Sequence, residues 1–182
     1  MMEMAARART STGNHYSAVE RALYSCLPAL KRQRVLVGGT DSVQLAFSLK
    51  SRHKALSIVV VDKSRAQLLK ALDLANRKGL PMRFMEGPCD QLPFSNEAFD
   101  IVVSGKPLTM RSNVKGIQAL NESYRVLRKS GHVVVIAKAA KHNFSFTMEG
   151  AGFENVTESR NGLLHVFSGT KIKPEQMLSQ PG

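Results

Sequence analysis

The sequence has no tryptophan, and aromatic residues make up only 6% of it. Stacking of nucleotide bases on aromatic platforms is therefore a weak mechanism for this chain. Cysteine is scarce as well. Cys26 and Cys89 are the two present, too few for a disulfide framework, which points to a reducing, cytoplasmic setting. No apolar run approaches the ~20 residues of a membrane-spanning helix, so no membrane insertion is expected. Acid is in short supply: Asp and Glu number 14 against 26 Lys and Arg, a net charge of +12. That field attracts polyanions such as RNA, DNA or an anionic lipid surface, unless the basic side chains are simply solvated.

Several catalytic signatures are missing too. Gly38-Gly39-Thr40 lacks the Gly-x-Gly-x-x-Gly spacing of dinucleotide dehydrogenases, and no Gly-x-x-x-x-Gly-Lys-Ser/Thr phosphate loop occurs. No Gly-x-Ser-x-Gly elbow supports a hydrolase triad. His15, His53, His132, His142 and His165 lack metal-ligand spacing, so no metal site is expected. His142, following the fifth strand, could lie near a site, although a surface position is the simpler explanation.

What is there reads as one domain of ordinary size: 182 residues, 43% apolar. Residues 1–16 form a loose arm by composition, residues 17–171 the domain, and 172–182 a frayed tail. The arm has the Arg, Ser and Thr of an organellar transit peptide, but it is short and contains Glu3. It also lacks the apolar core of a secretory signal, so import into an organelle is the alternative to a cytoplasmic home. Ser17-x-x-Glu20 has capping-box spacing for a first helix, which Pro28 limits.

From there strands and helices alternate. Val35-Leu36-Val37 is a short buried strand running into Gly38-Gly39-Thr40, and a helix follows from Val43 to Leu49. Leu56 to Val61 is a β-branched run suited to burial on both faces and ends at Asp62. Ser64 can cap a helix whose apolar side is Leu68, Leu69, Leu72 and Ala75, stopped by Gly79. Met82 to Met85 and Phe99 to Ser104 are the third and fourth strands. A helix over Val114 to Leu127 places Ile117, Leu120, Tyr124 and Leu127 on one side, and Lys129-Ser130-Gly131 is a turn into a fifth strand, His132 to Ala137. Strands near Phe153 to Glu158 and Leu163 to Ser168 are joined by Asn161-Gly162, a hairpin signal. The expected fold is α/β: a minimal Rossmann-like, doubly wound, mainly parallel sheet with a C-terminal antiparallel hairpin.

Glu86 to Gly105, EGPCDQLPFSNEAFDIVVSG, is the most specific stretch. It resembles the loop-strand motif of class I S-adenosylmethionine-dependent methyltransferases, of the type 11-like kind, in which a polar loop and Leu-Pro-Phe precede a strand starting Phe-Asp. Leu120 to Gly131, LNESYRVLRKSG, is similar to that family's helix and turn before the fifth strand, with Ser130 where Pro or Gly is usual. Ala151-Gly152-Phe153 is also placed as in that family. The resemblance spans residues 33–171.

It implies S-adenosylmethionine as cofactor, held at the carboxyl ends of the strands. Gly38, Gly39 and Thr40 would allow close approach after the first strand. Asp62 would accept hydrogen bonds from the ribose hydroxyls, or would only cap the next helix. Cys89, Asp90 and Gln91 would edge the adenine, or form a solvated turn, and Ser104 with Gly105 would flank the methyl-transfer point.

The chain also departs from that pattern. Val35-Leu36-Val37 offers no acid, Thr40 and Ser42 stand where later glycines are expected, and Pro88 replaces an acid that commonly meets the adenine amino group. Asp41 is a displaced substitute for the missing acid. Side chains at 40 and 42 would crowd the cofactor's amino-acid end, so glycine at both, with Asp at 88, is expected to strengthen binding. The Asn/Asp-Pro-Pro-aromatic motif of amino-group methyltransferases is absent; Ser104-Gly105-Lys106-Pro107 stands there. No catalytic residue emerges. Two readings follow: a methyltransferase acting on an unidentified acceptor such as RNA or protein, or a catalytically silent domain serving as a binding or assembly module. Lys106, Arg111, Lys138 and Lys141 would surround the mouth of the site and receive RNA or another anionic macromolecule. With no lid subdomain in the sequence, a protein partner could also complete the pocket.

Overall fold

A computed structural model describes residues 19–21, 23–39, 41–105, 114–138, 144–161 and 164–172; the side chains of Lys138 and Asn161 are not described. The arm 1–16, Thr40, Lys106, Arg111, Lys141, His142 and the turn residue Gly162 thus lie outside the described residues.

Seven strands form one sheet in the order β3-β2-β1-β4-β5-β7-β6. They are β1 (Arg34–Gly39), β2 (Ser57–Asp62), β3 (Arg83–Glu86), β4 (Phe99–Gly105), β5 (Leu127–Lys138), β6 (Glu154–Asn161) and β7 (Leu164–Thr170). β1 to β5 pair in parallel, whereas β7 runs antiparallel to both β5 and β6. Helix α1 (Ser42–Arg52) joins β1 to β2, α2 (Arg65–Arg77) joins β2 to β3, α3 (Val114–Val126) lies between β4 and β5, and α4 (Phe144–Gly150) follows β5.

The period-2 rule explains why these strands read as continuous apolar runs. Val35, Val37, Ile58, Val60, Ile101, Val103, Val134 and Ile136 point to one face, where they meet Leu45, Ala46 and Leu49 of α1 and Leu68 of α2. Their neighbours Leu36, Val59, Val61, Val102, Val133 and Val135 point to the other, against Ala119 and Leu120 of α3 and Phe144 and Met148 of α4. Val19 and Leu23, in a helical stretch before β1, complete the first face.

Three local expectations need correction. On α2 the buried stripe is Leu68, Ala71 and Ala75, while Leu69 and Leu72 are exposed, because the helix meets the sheet along a narrow line. On α3, Ile117 is exposed and Ala119, Leu120, Ser123 and Val126 are buried. The turn at Lys129-Ser130-Gly131 lies inside β5, as an irregularity between the pairs Phe99–Leu127 and Ile101–His132. Ser130 there has a φ of 60° and its amide donates to the Lys171 carbonyl at 2.6 Å. A side chain at Gly131 would approach the Leu127 side chain to 2.7 Å, so only glycine fits.

Between β3 and β4 the chain makes no helix. Residues 87–98 cross the sheet as a loop, seated by Leu92 and by Phe94, whose ring meets Phe99 edge-on at 4.9 Å. Arg125 and Glu122 of α3 hold this loop from above. The Arg125 guanidinium donates to the carbonyls of Phe94 (2.7 Å) and Leu92 (3.0 Å) and to Asn96 Oδ1 (3.0 Å), while Glu122 accepts from the Leu92 amide at 2.7 Å. Arg125 is therefore a clamp and not merely a counter-charge at the helix end. Arg128 likewise pairs with Asp100 at 2.6 Å.

Candidate functional site

β1 and β4 are neighbours although the helices after them cover opposite faces of the sheet. The strand order reverses between them, and in open α/β sheets ligands bind beyond the carboxyl ends of the strands at such a point. A cavity of about 620 Å³ opens there, over the ends of β1, β2 and β3.

Asp62 ends β2 and lines the cavity. Its Oδ1 accepts from the Ser64 amide at 2.8 Å and its Oδ2 from the Ser42 hydroxyl at 3.2 Å. Each oxygen keeps further acceptor capacity, so the carboxylate steadies the start of α2 and still presents both oxygens to a ligand. Holding the start of α2 thus leaves acceptor capacity on both oxygens. Ser64 in turn accepts from the Gln67 amide and caps α2.

The β1–α1 link differs from the sequence expectation. Gly39, at φ 83°, lines the cavity, as do Asp41 and Val43. Asp41 occupies the left-handed region (φ 63°) at the start of α1, and its side chain caps nothing there. Ser42 does not crowd the cavity at all. It is fully buried and turned onto Asp62, so removing its side chain would free a carboxylate oxygen rather than open space. Among the described residues, Asp41 and Val43 line this end of the cavity. Val35, Leu36 and Val37, the run that offers no acid, are all buried in the core.

Gly38 faces Cys89 rather than a ligand: a Cβ there would lie 2.9 Å from the Cys89 sulfur. Cys89 lines the cavity, and burial pushes its thiol up from the usual range despite a hydrogen bond from the Gly39 amide. Gly87 and Asp90 complete this wall, and α2 supplies Gln67, Lys70, Ala71 and Leu74. Lys115 and Ala119 of α3 close the far side. Gln91 lies instead in an adjoining polar cleft with Pro88, Gln118 and Asn121, which shares Lys63, Asp90 and Lys115 with the first cavity.

Of the residues singled out from sequence, Gly39, Asp62, Cys89 and Asp90 thus meet around one cavity. Ser104 does not line it; it is buried in the sheet between Gly38 and Val135. Thr40 and the cationic set Lys106, Arg111 and Lys141 lie outside the described residues, as does the Lys138 side chain. Sequence reasoning missed the α2 wall. Its signal was Ala71, a small residue opposite the exposed Leu69, which marks where a helix leaves room. No group of three or more His, Cys, Asp or Glu among the described residues is placed to hold a metal. No described helix is long and apolar enough to cross a membrane.

Known proteins resemble this chain in sequence and in fold. The family model for a methyltransferase domain matches residues 35–131, more than half of the chain. A demethylmenaquinone methyltransferase of Thermus thermophilus is 35% identical over 104 residues, covering 57% of this chain and 46% of that protein. The ubiquinone/menaquinone biosynthesis C-methyltransferase UbiE of Geotalea daltonii is 27% identical over 157 residues, covering 81% and 64%. The chain therefore spans less than two thirds of the length of either relative. Among solved structures, the PH0226 protein of Pyrococcus horikoshii superposes with a TM-score of 0.74 at 18% identity, covering 89% of this chain and 91% of that one, a likeness of fold. With residues 35–131, from Val35 of β1 to Gly131 within β5, inside the matched region, this chain belongs to the methyltransferase domain family.

Proposed function

We propose that this domain binds S-adenosylmethionine along the carboxyl edge of its sheet and transfers the methyl group to an acceptor. The observation that carries the reading is the Asp62 carboxylate, oriented by two protein donors beside a 620 Å³ cavity. Two fixed carboxylate oxygens suit the adjacent hydroxyls of a ribose. Gly39, Gly87, Cys89 and Asp90 would bound the nucleoside, with Ala71, Leu74 and Ala119 as apolar surface and Asp41 as the acid nearest the amino-acid end. S-adenosylmethionine supplies a methyl group on a positively charged sulfur, open to direct displacement. The chain's own residues bind, orient and exclude water, which supply much of the rate in such a transfer.

A second reading, a silent binding module, is favoured by the Asp41 and Val43 side chains lining the cavity and by the lack of an acid in Val35-Leu36-Val37. Cys89 separates the two. Its thiol lines the cavity, whereas Cys26 lies 3.8 Å from Ser159 on β6 and serves as an internal control. Saturating S-adenosylhomocysteine is expected to slow alkylation of Cys89 about tenfold or more, the ratio of total to free protein at ligand concentrations about ten times Kd or higher, while Cys26 reacts unchanged. Mass spectrometry of the two peptides reads this. Equal rates with and without ligand would remove the cofactor from the cavity and leave the silent module standing. Protection without methyl transfer to any acceptor offered would place the chain as a cofactor-binding module.

RNA is the acceptor or partner we propose on charge, given the net +12 and the cations from Lys106 to Lys141. Its affinity should fall steeply between low and moderate salt, since each neutralised phosphate releases counterions. Polarisation of a labelled RNA checks this. Absence of binding at low salt, or binding indifferent to changing Lys106, Arg111, Lys138 and Lys141 together to Gln, rules RNA out.

A further inference from the structure

We infer that Ser42 is a positioning residue for ribose recognition, acting through Asp62; the inference rests on the cofactor reading above. Ser42 is the first residue of α1, one position past the cap, where a serine ordinarily faces solvent. Here it is fully buried, and its hydroxyl donates at 3.2 Å to Asp62 Oδ2. Asp41, the residue that does occupy the cap position, makes no side-chain cap. The sequence has thus placed a hydroxyl where its use is the carboxylate across the cavity floor and not its own helix.

The consequence is geometric. With the Ser64 amide alone, at 2.8 Å from Oδ1, the carboxylate can swing about its Cβ–Cγ bond, because terminal torsions of this kind are broad. The Ser42 contact fixes the second oxygen from a different element, the β1–α1 link, so the plane of the carboxylate is set by two strands' ends at once. Neither donor carries charge, so the anion keeps its strength as an acceptor. A diol that needs both oxygens at a defined spacing gains from this; a single hydroxyl, which can follow one oxygen as it swings, gains little.

That difference supplies a readout which a merely structural role would not move. S-adenosylhomocysteine and its 2′-deoxy counterpart are titrated calorimetrically against wild type, Ser42→Ala, Ser42→Thr and Asp62→Asn, with folding checked by circular dichroism. Wild type should prefer the ribose ligand about tenfold or more, as a site built to hydrogen-bond a hydroxyl rejects the analogue lacking it. Ser42→Ala should bring the ratio down toward that of Asp62→Asn, and adding it to Asp62→Asn should change nothing further. Ser42→Thr, which keeps the hydroxyl, should keep the ratio. A folded Ser42→Ala with the wild-type ratio, or one that weakens both ligands equally, overturns the role given to Ser42 and leaves the cofactor reading intact. Wild type that binds neither ligand overturns both.

Discussion

Asp62→Ala weakens the binding of S-adenosylhomocysteine at least tenfold: this is the largest functional effect expected from a single change. Removing the carboxylate deletes charge-assisted acceptance of ligand hydroxyls, and a factor of ten corresponds to about 1.4 kcal/mol, less than one such bond is commonly worth. The same change frees the Ser64 amide and the buried Ser42 hydroxyl, so some stability is lost with it. Asp62→Asn separates these effects. It keeps an oxygen for one donor and loses the charge, so affinity should fall while the fold is nearly unchanged. Calorimetry on both variants, with a thermal melt of each, makes the comparison. Full affinity in a folded Asp62→Ala would take Asp62 out of the site.

The second large effect concerns the loop that replaces a helix between β3 and β4. Arg125→Ala should lower the stability of the whole domain by about 2–3 kcal/mol, since hydrogen bonds to a charged group contribute roughly 1.5–3 kcal/mol and two carbonyls are left unpaired. Those carbonyls belong to Leu92 and Phe94, next to the wall formed by Cys89 and Asp90, so ligand affinity should fall as well. Arg125→Lys should recover only part, because an ammonium cannot reproduce a planar fork with several donors. Glu122 shows the same coupling in its ionisation. The hydrogen bond from Arg125, and then the Leu92 amide, hold its carboxyl below the usual 4.5. A depressed folded-state value means that the stabilisation is present above pH 4.5 and is lost as the pH falls through the folded-state value. Wild type should therefore lose stability below that pH more steeply than Arg125→Ala. Urea titrations from pH 7 to pH 3, with hydrogen exchange at the Leu92 amide, test the clamp. Equal midpoints and equal Leu92 exchange in the variant would mean that the loop is held by Leu92 and Phe94 packing alone.

The sequence by itself determined the layered α/β fold and the place of Asp62. Strands buried on both faces need β-branched residues at successive positions, and Val59-Val60-Val61 or Val133-Val134-Val135 leave few other structures open. Asp62 stands where such a run stops, and a strand end facing a sheet's carboxyl edge is legible from order alone. The hairpin was legible too, since β6 and β7 pair around residues 161 to 164.

Tertiary structure alone decided which neighbours of these residues matter. Period and composition on α2 select Leu68, Leu69, Leu72 and Ala75 by hydrophobicity, yet Ala71 is buried with Leu68 and Ala75 while Leu69 and Leu72 are exposed. Gly38 reads as room for a ligand and is spent on the Cys89 sulfur. Ser42 reads as an intruder in a glycine loop and is a donor to Asp62. In each case the deciding partner lies on another element, and which atoms meet depends on how far each strand end projects and how each helix is rotated upon the sheet. Local pattern specifies which elements form; the contacts between them are set only when the elements are packed together.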